Sequence, residues 1–333
     1  MKIEFAEILM HPATMLALIF GLDLFFGDPV YRLHPVRLIG KLLTWYENRL
    51  RKIGLDGKFG GILLVLLLLA SSLSIGWSFF YLLASLHWSL GWLWSVYLGW
   101  SFLALSDLLQ HAKHVATAIK ETDLAEAKRQ VGMLVGRDTK QMDLAACGRA
   151  AVESVSENLN DGVIAPLFYF CFFGIPGMLF YKVVSTLDSM VGYRNERYQD
   201  FGWCGARFDD LLSWIPARLS WLLLSGSATL FPGLSGINAF RVGWHDYSKL
   251  LSPNAGWCEA TAAGALKIKL CGPVWREEKL AHDYWLGSPE DREGATYKDI
   301  QLMNKFALAT ALLGAFISGS CLWLSGFTPF FST

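Results

Sequence analysis

The sequence predicts an all-α, polytopic integral membrane protein with about four to six membrane segments and helical polar regions between them. Three observations carry that prediction. From Phe59 to Ser106 there is no Asp, Glu, Lys or Arg. Of the 333 residues 53% are hydrophobic and only 17% charged, against roughly 25% charged in soluble domains. Within 149–218, acidic and basic side chains stand directly beside lipid-length apolar runs, where they are costly to keep without a task. The formal net charge is zero, and neither a basic patch nor a motif points to nucleic acid. The chain reads as one membrane-embedded domain, 1–333, whose polar stretches 27–58, 107–161, 182–210 and 241–305 form one site.

Residues 1–26 read as a helix that enters the membrane and carries Asp23 at its far end. The N-terminus MKIEFAEI holds two acids and no small-residue cleavage site, so no signal peptide is read. GDPVYRLHPVR (27–37) is a turn, because Pro29 and Pro35 block helix, and it packs Asp28, Arg32, His34 and Arg37 together. A basic helix follows over 38–58, placing Lys41, Arg49, Arg51, Lys52 and Lys58 on the cytoplasmic side. The charge-free run is long enough for two helices joined near Ser85–Gly91. Of the 14 Trp, Trp88, Trp92, Trp94 and Trp100 crowd its second half, as in an interfacial aromatic belt.

Helical spacing continues from 107, with a turn near Glu121–Asp123 and a break at Gly136-Arg-Asp-Thr139. Asp138 is expected to cap the next helix, with Gln141 as its partner, and that helix should run to Gly162. Residues 162–190 are apolar but interrupted at Gly174-Ile-Pro-Gly177, which fits a spanning helix or a re-entrant pair. Stretches 27–58 and 107–161 are both rich in Lys and Arg. A re-entrant pair keeps 182–210 on their side of the membrane and is the favoured arrangement. Leu219–Phe240 is a further candidate span, interrupted by Pro232 and Gly233. After Pro273 the pattern is polar and irregular, ending in an exposed loop at 287–294, and Phe306–Thr333 fits a last span. Six cysteines show no CxxC and no zinc spacing, and are read as reduced and buried.

At about 100° per residue, Glu153, Glu157, Asn160 and Asp161 share an arc of about 100° on one helix face. Carboxylates so grouped repel unless a cation or basic groups neutralise them, and such hard oxygens suit Mg²⁺ that already carries phosphate. A solvated face is the plainer alternative, but this stripe runs into the apolar stretch and so reaches the bilayer surface. Arg194, Arg197 and Arg207 suit bidentate phosphate or carboxylate binding, and Gly192, Gly202 and Gly205 allow close approach to a ligand. Arg218, at the mouth of an apolar run, needs a partner, and Asp209 or Asp210 is nearest in sequence. Ser252-Pro-Asn254-Ala-Gly256 opens a small-residue helix and either holds phosphate or merely caps. His245 and Asp246 before it are catalytic candidates or a cap. No P-loop, GxGxxG, GxSxG or HExxH occurs, so any ATP binds without a Walker motif.

Taken in order, these pieces resemble the CbiB/CobD family of cobalamin biosynthesis, the membrane-bound adenosylcobinamide-phosphate synthases, over about residues 20–275. The pieces are the Gly27-Asp28-Pro29 turn with His34-Pro-Val-Arg37, Gly136-Arg-Asp-Thr139, Glu153-Ser, Glu157-Asn leading to Asp161-Gly, and Ala165-Pro-Leu-Phe168. They continue with Gly174-Ile-Pro-Gly177, Tyr181-Lys182, Thr186-Leu-Asp-Ser-Met-Val-Gly-Tyr193, Ala206-Arg207, Asp209-Asp210, Ile215-Pro-Ala-Arg218 and Ser252-Pro-Asn254. Departures stand at Ser185 and Ser213, where Asn is usual, at Cys258, where Pro or a small residue is common, and at Val274–Glu278.

The resemblance implies amide formation between adenosylcobyric acid and (R)-1-amino-2-propanol or its phosphate, with ATP and Mg²⁺, at the cytoplasmic face of the cell inner membrane. It implies that Glu153, Glu157, Asp161 and Asp188 hold Mg²⁺ or act as base, and that Lys182, Arg194, Arg207 and Arg218 hold phosphates or the substrate carboxylate. Asp28, His34 and Arg37 would close the site from the first loop, and Ser252 and Asn254 from the last, with Arg137, Asn158, Tyr193, Asp209 and Asp210 completing the binding set. Expected partners are the corrinoid, the amine, the lipid bilayer and other membrane enzymes of the late cobalamin pathway. Two other classes fit less well: a non-catalytic sensor like the AmpE proteins, against which the dense carboxylate and Arg set argues, and a transporter of an amphipathic anion, against which the lack of an internal repeat argues.

Overall fold

The structure, a computed structural model, describes residues 5–29, 31–136, 138–276 and 279–326. Helices α1 (Phe5–Met10), α2 (Pro12–Phe26), α3 (Pro35–Lys52), α4 (Lys58–Leu86) and α5 (Trp88–Ser101) come first. Next are α6 (Leu105–Lys120), α7 (Leu124–Val131) and α8 (Leu144–Leu159), a π-helical turn Asn160–Ile164, and α9 (Ala165–Val191). Then follow α10 (Trp203–Leu212), α11 (Trp214–Ala228), α12 (Gly236–Asp246), α13 (Ala255–Leu266), strands β1 (Ile268–Arg276), β2 (Lys279–Leu286) and β3 (Arg292–Glu293), and α14 (Tyr297–Ser325). The chain divides into two compact units: 1–104 with 165–212 and 315–333, and 105–164 with 213–314.

Among the described residues, three segments are long and apolar enough to cross a membrane: Lys58–Leu86, Leu144–Val191 and Tyr297–Ser325; Pro12–Phe26 is a shorter apolar helix. The protein is an all-α membrane protein with one small sheet. In the first unit, His11 caps α2 through its Nδ1, which accepts from the Ala13 N–H at 3.2 Å. The hairpin expected over 59–106 forms with His87 alone as its connection, but α5 has only 14 residues. That is about 21 Å of helix, short of a bilayer core. Gly99 of α5 sits where any side chain would strike Ile19 and Ile175, so the helices close tightly there.

The apolar stretch after 162 doubles back on itself. Gly174 has φ 63° and ψ −151°, a conformation outside the helical region that an L side chain resists. Tyr169 and Tyr181 would stand about 18 Å apart in a straight helix. Their rings instead stack at 5.1 Å and 14°. Gly177 permits this, since a Cβ there would press on Phe173 and the Tyr169 carbonyl. The Tyr169 hydroxyl donates to the Leu212 carbonyl at 2.9 Å, fastening the entering half to α10. This is the fold-back that a re-entrant pair requires.

The second unit is built around α13, whose residues Gly256–Leu266 are all buried. Gly264 lets α12 approach, because a Cβ would meet the Asn238 carbonyl and Val242. Tyr247 stacks on Trp257 at 4.0 Å and 14°, and Trp221 packs beside them. The expected turn at Glu121–Asp123 is present, with Asp123 capping α7 through the Glu126 N–H at 2.9 Å.

Six expectations need correction. Pro35 does not block helix but opens α3 as its first residue. The cysteines are not all buried: Cys171 and Cys204 are half-buried and Cys321 is exposed. Asp138 accepts only from the Lys140 N–H, and α8 starts later, where Asp143 accepts from the Ala146 N–H at 2.6 Å. Leu219–Phe240 is not one span: α11 ends at Ala228, and Gly233 at φ 90° turns the chain before α12. The region after Pro273 is not irregular: β1 and β2 form an antiparallel pair, Leu270 opposite Leu286, with β3 parallel to β1 at its other edge. The last helix starts nine residues before Phe306, where Asp299 Oδ2 accepts from both the N–H and the hydroxyl of Thr296, each at 2.6 Å.

Gly61 of α4 lies against the backbone carbonyl of Phe201, and an added Cβ would overlap it. Gly61→Ala should therefore destabilise the first unit by about 1–3 kcal/mol. Thermal unfolding of purified protein in detergent reads this as a lower Tm, with Gly21→Ala as the control, since nothing lies within 4 Å of a Cβ there.

Candidate active site

The second unit carries the acidic stripe. Asp143 starts α8, which buries Glu153 but leaves Glu157 and Asn158 exposed. Glu153 is 6% exposed, and its Oε1 accepts the Cys271 N–H of β1 at 2.8 Å. Cys271 has φ 63°, so the strand enters the pairing through a left-handed residue, and its thiol donates to Glu259 Oε2 of α13 at 3.5 Å. Glu153, Glu259 and Cys271 thus form a buried group whose ligand atoms lie within 4.8 Å of one another.

The π-helical turn presents the next residues. Asn160, 3% exposed, donates from Nδ2 to Asp161 Oδ1 at 2.7 Å and accepts from the Ser220 hydroxyl at 2.9 Å. Asn160 thereby orients the Asp161 carboxylate while tied to α11. The charges of Asp161, Glu157 and Glu259 all act on the fully buried Cys258 thiol, which burial first and these carboxylates second push well above its ordinary range. Oxygen ligands of this hardness suit Mg²⁺, whereas a thiol does not. In the Glu153–Glu259–Cys271 group the two carboxylates are engaged with Cys271.

Arg218 supplies a cation in this unit. Its Nη1 donates to the Trp214 carbonyl at 2.8 Å and to Asn254 Oδ1 at 3.2 Å. Its guanidinium lies over the rings of Trp214 and Trp257 at 4.2 and 4.9 Å. Within this unit Asn254 is thus a partner of Arg218. Ser252 accepts the N–H groups of Asn254 and Ala255 at 3.2 and 3.3 Å, so its hydroxyl caps α13. Asn158 donates to the Ser154 carbonyl at 2.9 Å. Arg137 lies outside the described residues.

The first unit holds the remainder. His34, 3% exposed, starts α3 and places Nε2 2.7 Å from Asp28 Oδ1. Arg37 is exposed one turn later. Asp188 and the half-buried Lys182 lie on the returning half of α9, and the Asp188 carboxylate covers Gly192, where any side chain would collide with it. Tyr193 and Arg194 are exposed on the loop that follows. On α10, Arg207 Nη1 stands 3.4 Å from Asp210 Oδ2. Burial pushes the Asp210 carboxyl up, and the charges of Arg207 and Arg194 pull against it. Asp209 lies on the same helix, within electrostatic reach of Tyr169.

Glu259, Cys271 and Ser220 were not anticipated in these roles. Glu259 left a signal: it is the one charge inside the run GWCEATAAGAL, where a carboxylate must find a buried partner. Cys271 left none, since its role comes from a backbone N–H and a left-handed turn.

A helical membrane protein with buried carboxylates, stacked guanidinium groups and a folded-back apolar segment is thereby defined. The chain belongs to the CobD/CbiB family: the family model for "CobD/Cbib protein" matches residues 15–306. It is 39% identical over 308 residues to the cobalamin biosynthesis protein CbiB of Salmonella arizonae, covering 92% of this chain and 96% of that one. It is 47% identical over 251 residues to the cobalamin biosynthesis protein CobD of Geobacter metallireducens, covering 75% and 79%. It is 41% identical over 286 residues to the CobD protein of Photorhabdus laumondii, covering 85% and 89%. No solved structure matches it.

His245 and Asp246 form a staple. Asp246, 2% exposed, accepts from His245 Nδ1 at 2.7 Å, Lys249 Nζ at 2.8 Å and the Gly287 N–H at 2.9 Å. Burial alone would raise this carboxyl, but Lys249, His245 and Gly287 outweigh it and hold it low. With the folded value below the unfolded one, its stabilisation is complete above about pH 3.9 and is lost as pH falls below that. Asp246→Asn should cost about 1–3 kcal/mol at neutral pH. The gap between variant and wild type, followed by thermal melts, should narrow below about pH 4.

Proposed function

We propose that this chain is the membrane enzyme of cobalamin biosynthesis that joins a carboxylate of adenosylcobyric acid to (R)-1-amino-2-propanol or its O-phosphate, consuming ATP. Membership of the CobD/CbiB family supports the pathway. The observation that carries the reaction class is the exposed Glu157 one turn from Asp161, on a helix end that Asn160 and Ser220 hold in place.

Making an amide from a carboxylate requires that the acyl oxygen become a leaving group, here by phosphoryl transfer from ATP. It requires in addition that the ammonium nucleophile lose its proton. A divalent cation such as Mg²⁺ neutralises phosphoryl charge in such reactions. Glu157 and Asp161 are the residues of the second unit that would hold it. Glu157, being exposed, is the group placed to take the proton from the amine. Arg218, held flat between Trp214 and Trp257, keeps a guanidinium oriented for an anionic substrate group without the entropy cost of a free side chain. Arg194 and Arg207 take the same class of ligand in the first unit, and Lys182 supplies a further positive charge. Asp28, His34 and Arg37 close over substrate from the first loop, and the reaction takes place on the cytoplasmic side of the inner membrane.

Purified protein given ATP, Mg²⁺, adenosylcobyric acid and aminopropanol phosphate should form one new corrinoid, heavier by the amine less water, identified by mass spectrometry. Absence of that product with a folded preparation would overturn the reading. Glu157→Gln should lower kcat by 100-fold or more while leaving membrane insertion and Tm unchanged. Arg218→Lys should raise KM for an anionic substrate about tenfold, because an ammonium group cannot reproduce the flat stacked fork.

A further inference from the structure

Glu47 is an unlikely residue for its place. It lies on the amphipathic helix α3, yet is only 4% exposed, and a carboxylate withdrawn from water needs charged or hydrogen-bonding partners. It has two on one oxygen. Arg51 Nε, one turn along α3, and Arg197 Nη2, 150 residues further on, both donate to Oε1 at 3.0 Å. Arg51 reaches on to the same loop, donating from Nη2 to the Arg197 carbonyl at 2.8 Å. Its guanidinium lies 4.3 Å from the centre of the Phe201 ring. Arg197 lies over the neighbouring Tyr198 at 5.2 Å. The loop that joins α9 to α10 is therefore anchored at its far end to α3.

The near end of that loop carries Tyr193 and Arg194, both exposed. Arg194 acts electrostatically on Asp210, which Arg207 meets at 3.4 Å. Gly192 and Gly202 bound the loop, and each sits against backbone carbonyls with no room for a side chain. Little slack is left between the anchor and Arg194.

We propose that Glu47 is a positioning residue, whose buried carboxylate fixes the 192–202 loop through Arg197 so that Arg194 and Arg207 flank Asp210 as a two-guanidinium clamp for a phosphoryl group. Arg207 meets the Asp210 carboxylate at 3.4 Å and Arg194 acts on it electrostatically, and a phosphate, with more acceptor oxygens, competes for both guanidinium groups. Arg194 sits on irregular backbone, so its contribution depends on the anchor; Arg207, on a helix, does not. The clamp rests on the amide-forming reaction proposed above, in which ATP and aminopropanol phosphate are the phosphorylated substrates.

The test uses full-length protein in detergent and the variant Glu47→Gln, which keeps the shape and removes the charge. Steady-state kinetics should show a tenfold or larger rise in KM for ATP or for aminopropanol phosphate, whichever phosphate the clamp holds, with kcat within threefold. KM for adenosylcobyric acid should not move. A fall in Tm or yield with every KM unchanged, or a rise confined to adenosylcobyric acid, would overturn the proposal. Tryptic cleavage after Arg194 supplies a readout that does not depend on turnover. Inorganic pyrophosphate should slow it at least fivefold in wild type and not in Glu47→Gln. No protection of wild type would remove the clamp, whereas protection without any amide product would leave the clamp and remove the reaction. Should Glu47→Gln fail to fold, Arg197→Lys keeps the Glu47–Arg51 pair and should shift the same KM in the same direction by a smaller factor.

Discussion

A charge taken out of water must find its counterpart inside the protein, and in this chain four acidic groups do so across long stretches of sequence. Glu47 holds Arg197. Glu153 takes the Cys271 N–H and Glu259 the Cys271 thiol. Asp246 takes the Gly287 N–H. Each carboxylate ties a helix to a loop or strand that has no hydrophobic face broad enough to dock by itself. Helices of small and aliphatic residues supply the mass of each unit, and these hydrogen bonds to buried carboxylates help to set its register. Removing one partner would leave a buried charge uncompensated, which costs more than the contact itself contributes.

The same economy governs backbone. The fold-back after 165 frees peptide groups near Gly174 that apolar surroundings would leave unpaired. The Tyr169–Tyr181 stack and the Tyr169 hydroxyl on the Leu212 carbonyl hold the two halves together around that break. The π-helical turn at Asn160–Ile164 makes a second irregularity only a few residues earlier, and it turns Asn160 and Asp161 toward Ser220 and Cys258. Two departures from regular helix thus bracket the apolar entry of this segment. The first of them along the chain contains Asp161, which the amide-forming reading uses.

Cys258 is fully buried, and the charges of Asp161, Glu157 and Glu259 act on its thiol. A thiolate there would be opposed by burial and by like charge together, so the thiol stays protonated.

Much of the architecture was legible in the sequence, for a local reason. Runs free of charge, prolines and glycines at turns, and the spacing of carboxylates on one helix act over a few residues, so the membrane class, the turn at Glu121–Asp123, the break at Gly174 and the acidic stripe from Glu153 to Asp161 could all be read directly. Caps were less legible, because Asp138 and Asp143 both lie within a turn or so of a helix start and only the folded backbone chooses between them. The strands 268–286 escaped because their pattern is broken by Gly272, Pro273 and a register shift between Val274 and Trp275. What tertiary structure alone decided was partnership: that Arg218 binds Asn254, that Glu259 meets Cys271, and that Glu47 reaches Arg197. Those pairs lie between 12 and 150 residues apart, and no local preference encodes them. They follow from which helices pack together and from the cost of leaving a charge alone once they have.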